Sequence, residues 1–159
     1  MGMASVVLLG LAGGVAWCQP GLRDGRLTAP GREVFAGVGR AVLDGSLPEN
    51  AAARQIALQA LLGRIDALVM ALPPHAQAEL SQLLGLLATA AGRRGLAGLR
   101  GSWNGAPVAE IQQALQSMRM SGLSLRQQAY HALHDIVGGA YFADASTWPQ
   151  LGYPGPRVL

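Results

Sequence analysis

The chain of 159 residues contains no lysine, a single cysteine and only 5% aromatic residues, and its charged residues amount to 13%. A soluble domain usually has about 25% charged residues. This low charge content indicates that a membrane or another subunit covers part of the surface, or that the protein dissolves poorly. The length is that of one domain with a sizeable core.

The lone cysteine, Cys18, excludes an internal disulfide and a metal cluster built on cysteines. The lack of disulfides argues against a small secreted scaffold that depends on them, though not against the bacterial periplasm. A lipid attached to Cys18 is disfavoured, because Trp17 stands where an acylated cysteine needs a small residue before it. We therefore interpret Cys18 as a thiol without a chemical role.

Positive charge comes only from arginine, and the arginines are scattered from Arg23 to Arg157 among acidic residues. Proteins that bind nucleic acids usually have a basic stripe with stacking aromatics, so this distribution argues against nucleic-acid binding. The adjacent pair Arg93-Arg94 lies in mid-chain. We interpret it as binding the negative C-terminal end of the preceding helix, and not as a twin-arginine export signal.

Motifs for catalysis or cofactor binding are missing from the sequence. It has no nucleophile turn Gly-x-Ser-x-Gly, no phosphate loop ending in Gly-Lys-Ser/Thr, and no dinucleotide fingerprint between a strand and a helix. His131 and His134 lie three residues apart before Asp135, and His75 is the only other histidine. Two helix histidines without a third ligand are typical of a polar face and not of a zinc site. We predict no catalytic, cofactor-binding or metal-binding residues, and an enzyme with a site at His131 and His134 is the weakest alternative.

Residues 6–17 form an apolar run that is too short to span a bilayer, which takes about 20 residues. The run is similar to the apolar middle of a signal peptide, and Gly14 and Ala16 are small residues of the kind found before a cleavage point. Residues 1–5 carry no positive charge. We therefore expect residues 1–17 to be a signal-like segment with a truncated start; the alternative is that they are no working export signal. We expect contact with the membrane only through this segment, if it is retained.

Turn and cap residues divide the rest of the chain into helices. Residues 18–27 predict a linker, and Thr28 predicts the cap of a first helix that ends near Leu43. Gly37 and Gly39 either weaken this helix or mark close packing. A second helix with leucines at three- and four-residue spacings ends at Pro73-Pro74, where a third begins. The short connection predicts an antiparallel pair.

The glycine-rich residues 93–105 predict an irregular segment. Pro107 predicts the start of a fourth helix, and Ser124 predicts the cap of a fifth. No segment alternates with a period of two, so we expect essentially no sheet. The sequence thus predicts an all-α fold, a small bundle of about five helices in a single domain of residues 28–159. This domain includes an irregular aromatic C-terminal tail, residues 144–159.

The tail carries a family resemblance. The motif Trp148-x-x-Leu151-Gly152-Tyr153-Pro154-Gly155 resembles the ending of the gluconate 2-dehydrogenase subunit 3 family, the small subunits of membrane-associated flavin dehydrogenases. Residues 128–135 and 141–145 are similar to the segments that precede this ending in relatives. The resemblance is clear over these C-terminal residues and diffuse over the helices before them.

The resemblance implies an accessory subunit without redox chemistry and without a cofactor of its own. The expected partner is a large FAD-dependent dehydrogenase of the glucose-methanol-choline class, often with a cytochrome c subunit. The expected location is the periplasm or the periplasmic face of the bacterial inner membrane. Small subunits of this family typically carry a twin-arginine signal and also stabilise the large subunit. The resemblance therefore implies an export or stability escort of the large subunit. No Arg-Arg pair precedes Val6, so only the stabilising role carries over if this start is complete.

Aromatic residues concentrated towards the C-terminal half provide candidate anchors for a partner. The residues that we expect to bind it are Trp103, Tyr141, Phe142, Trp148, Tyr153 and Pro154. The alternative is that some of these rings close the protein's own core. The alternative function is that of a stand-alone helical envelope protein, which acts through interactions with other molecules and has no enzymatic activity.

Overall fold

The computed structural model describes residues 19–151, with side chains as far as Trp148. The helices are α1 (Ala29–Val42), α2 (Ala51–Met70), α3 (Pro74–Ala88), the single turn α4 (Ala90–Gly92), α5 (Val108–Arg119) and α6 (Ser124–Phe142). A π-helix, Arg93–Ala97, follows α4, and a 3-10 helix, Ala145–Leu151, follows α6. Two strands of two residues each, β1 (Leu22–Arg23) and β2 (Arg26–Leu27), precede α1. The predicted all-α bundle is confirmed, and the five long helices lie where the caps and prolines indicated.

Helix α1 is the centre of the bundle and packs against α2, α3, α5 and α6. Its side chains Val34, Phe35 and Val38 are completely buried. A Cβ atom on Gly39 would lie 2.9 Å from Cδ2 of Leu61, and one on Gly37 would lie 2.8 Å from the backbone oxygen of Trp103. Of the two interpretations of these glycines, close packing is therefore the correct one.

The second and third helices do not form the predicted antiparallel pair. Helix α2 packs against α1 and α6, while α3 packs mainly against α1. The leucine stripes of α2 and α3 are buried as predicted, but α1 provides the surface on which both lie. Two helices joined by a short turn need not pack together when a third helix provides a surface for each of them.

Residues 18–27 were expected to form a linker, and this expectation is corrected for residues 21–27. They form an antiparallel hairpin in which Leu22 pairs with Leu27. Both leucines are 7% exposed, and the backbone N–H of Leu22 donates to Ser81 Oγ at 3.0 Å. The turn residues Asp24 and Gly25 have φ of 52° and 72°, the conformation that Asp-Gly favours in two-residue hairpins. The hairpin is thus part of the domain.

The predicted helix caps differ in detail. Thr28 precedes α1, but its hydroxyl donates to Pro20 O at 2.7 Å and makes no cap hydrogen bond. Ser124 is the first residue of α6, and Leu123 occupies the cap position. Asn50 does cap α2, since its Oδ1 accepts from the N–H of Ala53 at 3.1 Å.

None of the helices in residues 19–151 combines the length and the apolar character that crossing a membrane requires.

Candidate functional site

Trp103 lies in the core. Its side chain is 0% exposed, and its Nε1 donates to Leu87 O at 2.8 Å. The guanidinium of Arg40 donates to the backbone oxygen of Trp103 at 2.7 Å. A ring that is fully buried and hydrogen-bonded contributes to the fold, so the core alternative applies to Trp103.

Tyr141 and Phe142 lie side by side at the end of α6, yet their exposure differs. Tyr141 is 7% exposed and its hydroxyl lies 3.5 Å from Ser46 O, whereas Phe142 is 42% exposed. Their ring centroids are 5.3 Å apart in an edge-to-face arrangement. Tyr141 therefore packs inwards and supports the outward-facing ring of Phe142.

The 3-10 helix folds back on the end of α6. Thr147 Oγ1 donates to Tyr141 O at 3.2 Å and to Asp144 O at 2.8 Å, and Trp148 Nε1 donates to Phe142 O at 2.9 Å. The last carbonyls of a helix have no partner within the helix, so these donors stabilise its end. They also hold the half-buried Trp148 close to Phe142.

Asp144 fixes this turn to α2. Its carboxylate accepts from the N–H of Ser146 at 3.0 Å, from the Ser146 hydroxyl at 2.7 Å and from Arg64 Nη1 at 3.1 Å. The hydrogen bonds from Ser146, and then the Arg64 charge, lower the pKa of Asp144 below its usual value. Arg64 Nε also donates to Ala140 O at 2.9 Å. Sequence reasoning missed this cluster, although Asp-x-Ser is a common turn pattern.

We name Phe142 and Trp148 the C-terminal aromatic surface. It brings together two of the six residues that the sequence predicted for partner binding, while Trp103 and Tyr141 belong to the interior. Tyr153 and Pro154 lie outside the described residues. The surface is held by hydrogen bonds from Thr147 and Trp148, so it needs little rearrangement to bind a partner.

The two histidines of α6 contact a tyrosine. The ring centroid of Tyr130 is 5.3 Å from that of His131 and 5.3 Å from that of His134. His134 Nδ1 lies 3.3 Å from Asp135 Oδ1 on the exposed side of the helix. Across residues 19–151, no three side chains of the His, Cys, Asp or Glu type converge on a position for a metal ion.

A groove of about 960 Å³ opens between α2 and α3 above α1. Its polar lining includes Arg32 and Arg40, and both are engaged in the fold. Arg32 Nη2 donates to Asp66 Oδ2 at 2.7 Å, while Arg40 Nη2 donates to Trp103 O, Asn104 O and Ala106 O. The charges that could attract an anion are thus neutralised or hydrogen-bonded, and the groove carries no functional assignment.

The interpretation of the arginine pair is confirmed for Arg93. Its Nη1 donates to Ala88 O, a carbonyl in the last turn of α3, at 3.4 Å. Its Nε is buried and, within the described residues, has no hydrogen-bond partner. Arg94, the second residue of the π-helix, is exposed.

The fold and this surface define a small helical bundle with an aromatic end. No protein-family model matches the chain, and no curated protein or solved structure matches it either.

Proposed function

We propose that the protein is a non-catalytic small subunit that binds and stabilises a periplasmic FAD-dependent dehydrogenase. The observation that carries the proposal is the position of Phe142, which is 42% exposed within the segment that carries the family resemblance. Phe142 lies beside the half-buried Trp148, so this surface presents two aromatic side chains together. Aromatic side chains are the usual anchors of protein interfaces.

The surroundings of this surface suit an interface. Arg64 and Asp144 form an ion pair next to it, so each of these two charges is balanced by the other. The hydrogen bonds of Asp144, Thr147 and Trp148 fix the turn before binding. A preorganised surface loses little conformational entropy when it binds.

Binding alone suffices for a stabilising role. A subunit that binds only the folded dehydrogenase adds about 2.7 kcal/mol to its stability when present at 100 times the dissociation constant. This action needs neither a cofactor nor a catalytic residue in the small subunit. FAD would belong to the large partner, with a cytochrome c subunit as a further member of the complex.

The test is affinity purification of the tagged full chain from the envelope fraction of its native host, with flavin absorbance as the readout. We expect a larger flavoprotein in stoichiometric amount. Phe142→Ser should lower its recovery at least tenfold, because a central aromatic anchor contributes about 2 kcal/mol or more. Ile56→Ser is the matched control, since Ile56 on α2 is 71% exposed.

Two results would contradict the proposal. One is a colourless protein recovered alone from a host that expresses a candidate dehydrogenase, which would favour the stand-alone envelope protein. The other is equal loss of flavoprotein in the Phe142 and Ile56 variants, which would indicate non-specific hydrophobic association.

A further inference from the structure

Three arginines from separate segments of the chain lie near one end of the bundle. They are Arg94, Arg119 and Arg126, and each lies on a different element of the chain. Folding brings the π-helix, the end of α5 and the start of α6 together, since the π-helix packs on α5 and α5 packs on α6.

Arg126 joins these three elements. Its Nε donates to Leu96 O of the π-helix at 2.8 Å, and its Nη2 donates to Ser117 Oγ of α5 at 2.8 Å. Arg94 and Arg119 lie on the π-helix and on the last turn of α5, and both are exposed. The nearest acidic residues along α5 and α6, Glu110 and Asp135, are each nine residues from an arginine of this end, about 14 Å along a helix.

The turn between α5 and α6 places two large apolar side chains at the same end. Met120 is 70% exposed and Leu123 is 65% exposed. Leu123 also occupies the cap position of α6, where its side chain makes no cap hydrogen bond. Leucine is among the least favourable residues for this position, so helix stability does not explain its presence.

We propose that this end of the bundle docks on an anionic membrane surface. We name it the arginine end and define it as Arg94, Arg119, Arg126, Met120 and Leu123. The exposed Arg94 and Arg119 attract the phosphates of anionic lipids, while Arg126 holds the three elements of this end together. The N-terminus of α6, which has no side-chain cap, adds a partial positive charge on the same side. Met120 and Leu123 enter the boundary between headgroups and acyl chains, as the apolar residues of interfacial proteins do.

The apolar residues distinguish a membrane from other anionic partners. A nucleic acid would be bound through arginines and stacking aromatics, and Met120 and Leu123 would gain nothing from phosphates. A bilayer uses both properties of the surface at once.

The arginine end and the C-terminal aromatic surface lie at opposite ends of α6. The helix has 19 residues, so its ends are about 28 Å apart. A partner at Phe142 would therefore leave Leu123 free to contact the membrane. The inference depends on the arginine end alone and holds whether or not the partner is a dehydrogenase.

The test is cosedimentation of the full chain with vesicles of equal parts phosphatidylglycerol and phosphatidylcholine, compared with pure phosphatidylcholine. We expect binding to the anionic vesicles, and about fivefold weaker binding for each of Arg94→Gln and Arg119→Gln. Met120→Ser combined with Leu123→Ser should weaken binding by about tenfold or more. The controls are Arg23→Gln for charge and Ile56→Ser for apolar exposure, because both residues are exposed elsewhere on the fold.

A fluorescent probe at a single position distinguishes lipid contact by the arginine end from lipid contact by the apolar residues 6–17. Any contact that residues 6–17 make would be the same in every variant. In a Cys18→Ser background, an environment-sensitive dye on Leu123→Cys should shift to shorter wavelength when anionic vesicles are added, and the same dye on Ile56→Cys should not. Equal shifts at both positions, or no shift at Leu123, would overturn the proposal. Binding that a DNA oligonucleotide abolishes and that the Met120 and Leu123 changes leave intact would overturn it in favour of a general polyanion site.

Discussion

Gly37 of α1 packs directly against Trp103. A Cβ atom on Gly37 would lie 2.8 Å from the backbone oxygen of Trp103 and 3.1 Å from its ring atom Cε3. The ring cannot move away, because it is completely buried and its Nε1 is bonded to Leu87 O. Because Gly37 has no side chain, α1 can lie close to the segment that contains Trp103.

We expect Gly37→Ala to lower the free energy of unfolding by about 1–3 kcal/mol, the usual cost of overpacking. Alanine favours a helix by about 1 kcal/mol over glycine, but the clash outweighs this gain. Gly63→Ala in α2 is the matched control: its Cβ would meet nothing within 4 Å, so the helix gain should remain and stabilise the protein. Urea unfolding measures both, and a Gly37→Ala protein as stable as Gly63→Ala would disprove the contact.

Asp66 joins three elements and should be important for stability. Its Oδ1 accepts from the N–H of Leu27 at 2.7 Å, and its Oδ2 accepts from Arg32 Nη2 at 2.7 Å. Asp66→Ala leaves a buried N–H without an acceptor and Arg32 without its counter-ion. Because the Arg32 side chain is 41% exposed and can regain water, we expect a loss of about 2–3 kcal/mol and not more.

Chemical denaturation measures the stability that Asp66→Ala loses, and the Asp66→Asn variant provides a comparison. Asparagine keeps an acceptor for the Leu27 N–H and should cost about half as much as alanine. Asp135→Asn is the control for charge alone, since the Asp135 side chain is 73% exposed and should contribute little. Equal stability of the Asp66→Ala and Asp135→Asn proteins would contradict the assigned role.

Arg40 organises the segment that contains Trp103. Its Nη2 donates to the backbone oxygens of Trp103, Asn104 and Ala106 at 2.7, 3.2 and 3.2 Å. Arg40→Gln should cost about 1–2 kcal/mol, because these carbonyls lose a charged donor. Faster proteolysis of residues 99–107 should accompany the loss, and Arg23→Gln should change neither. Unchanged cleavage in Arg40→Gln would show that the segment is held by Trp103 alone.

The sequence predicted the helices well because their signals are local. Pro30, Pro74 and Pro107 lie at or beside helix starts, and buried leucines follow the predicted stripes. The arrangement of the helices was harder to predict. The turn at Pro73-Pro74 predicted that α2 and α3 would pack together, but both pack on α1, a helix that lies earlier in the chain.

The candidate site was predicted only in part. The exposed ring of Phe142 and the adjacent Trp148 were among the expected anchors, whereas Trp103 looked equally suitable in the sequence. Burial of Trp103 depends on Gly37, 66 positions earlier in the chain, so no local pattern reveals it. The arginine end likewise depends on contacts among three separate segments.

Acidification should loosen the turn that carries the C-terminal aromatic surface. Hydrogen bonds from Ser146 and the charge of Arg64 lower the pKa of Asp144 in the folded protein. The unfolded chain therefore binds the proton more readily, and the contribution of Asp144 is complete above the ordinary aspartate pKa of about 3.9. As the pH falls from about 5 through the lowered pKa of the folded state, this contribution is lost.

Asp144→Asn should be less stable than the parent at pH 7, and the difference between their urea midpoints should shrink as the pH falls below about 4. Asp135→Asn serves as the control for a carboxylate without these partners, and a midpoint difference that stays constant down to acidic pH would refute the role assigned to the Asp144 carboxylate.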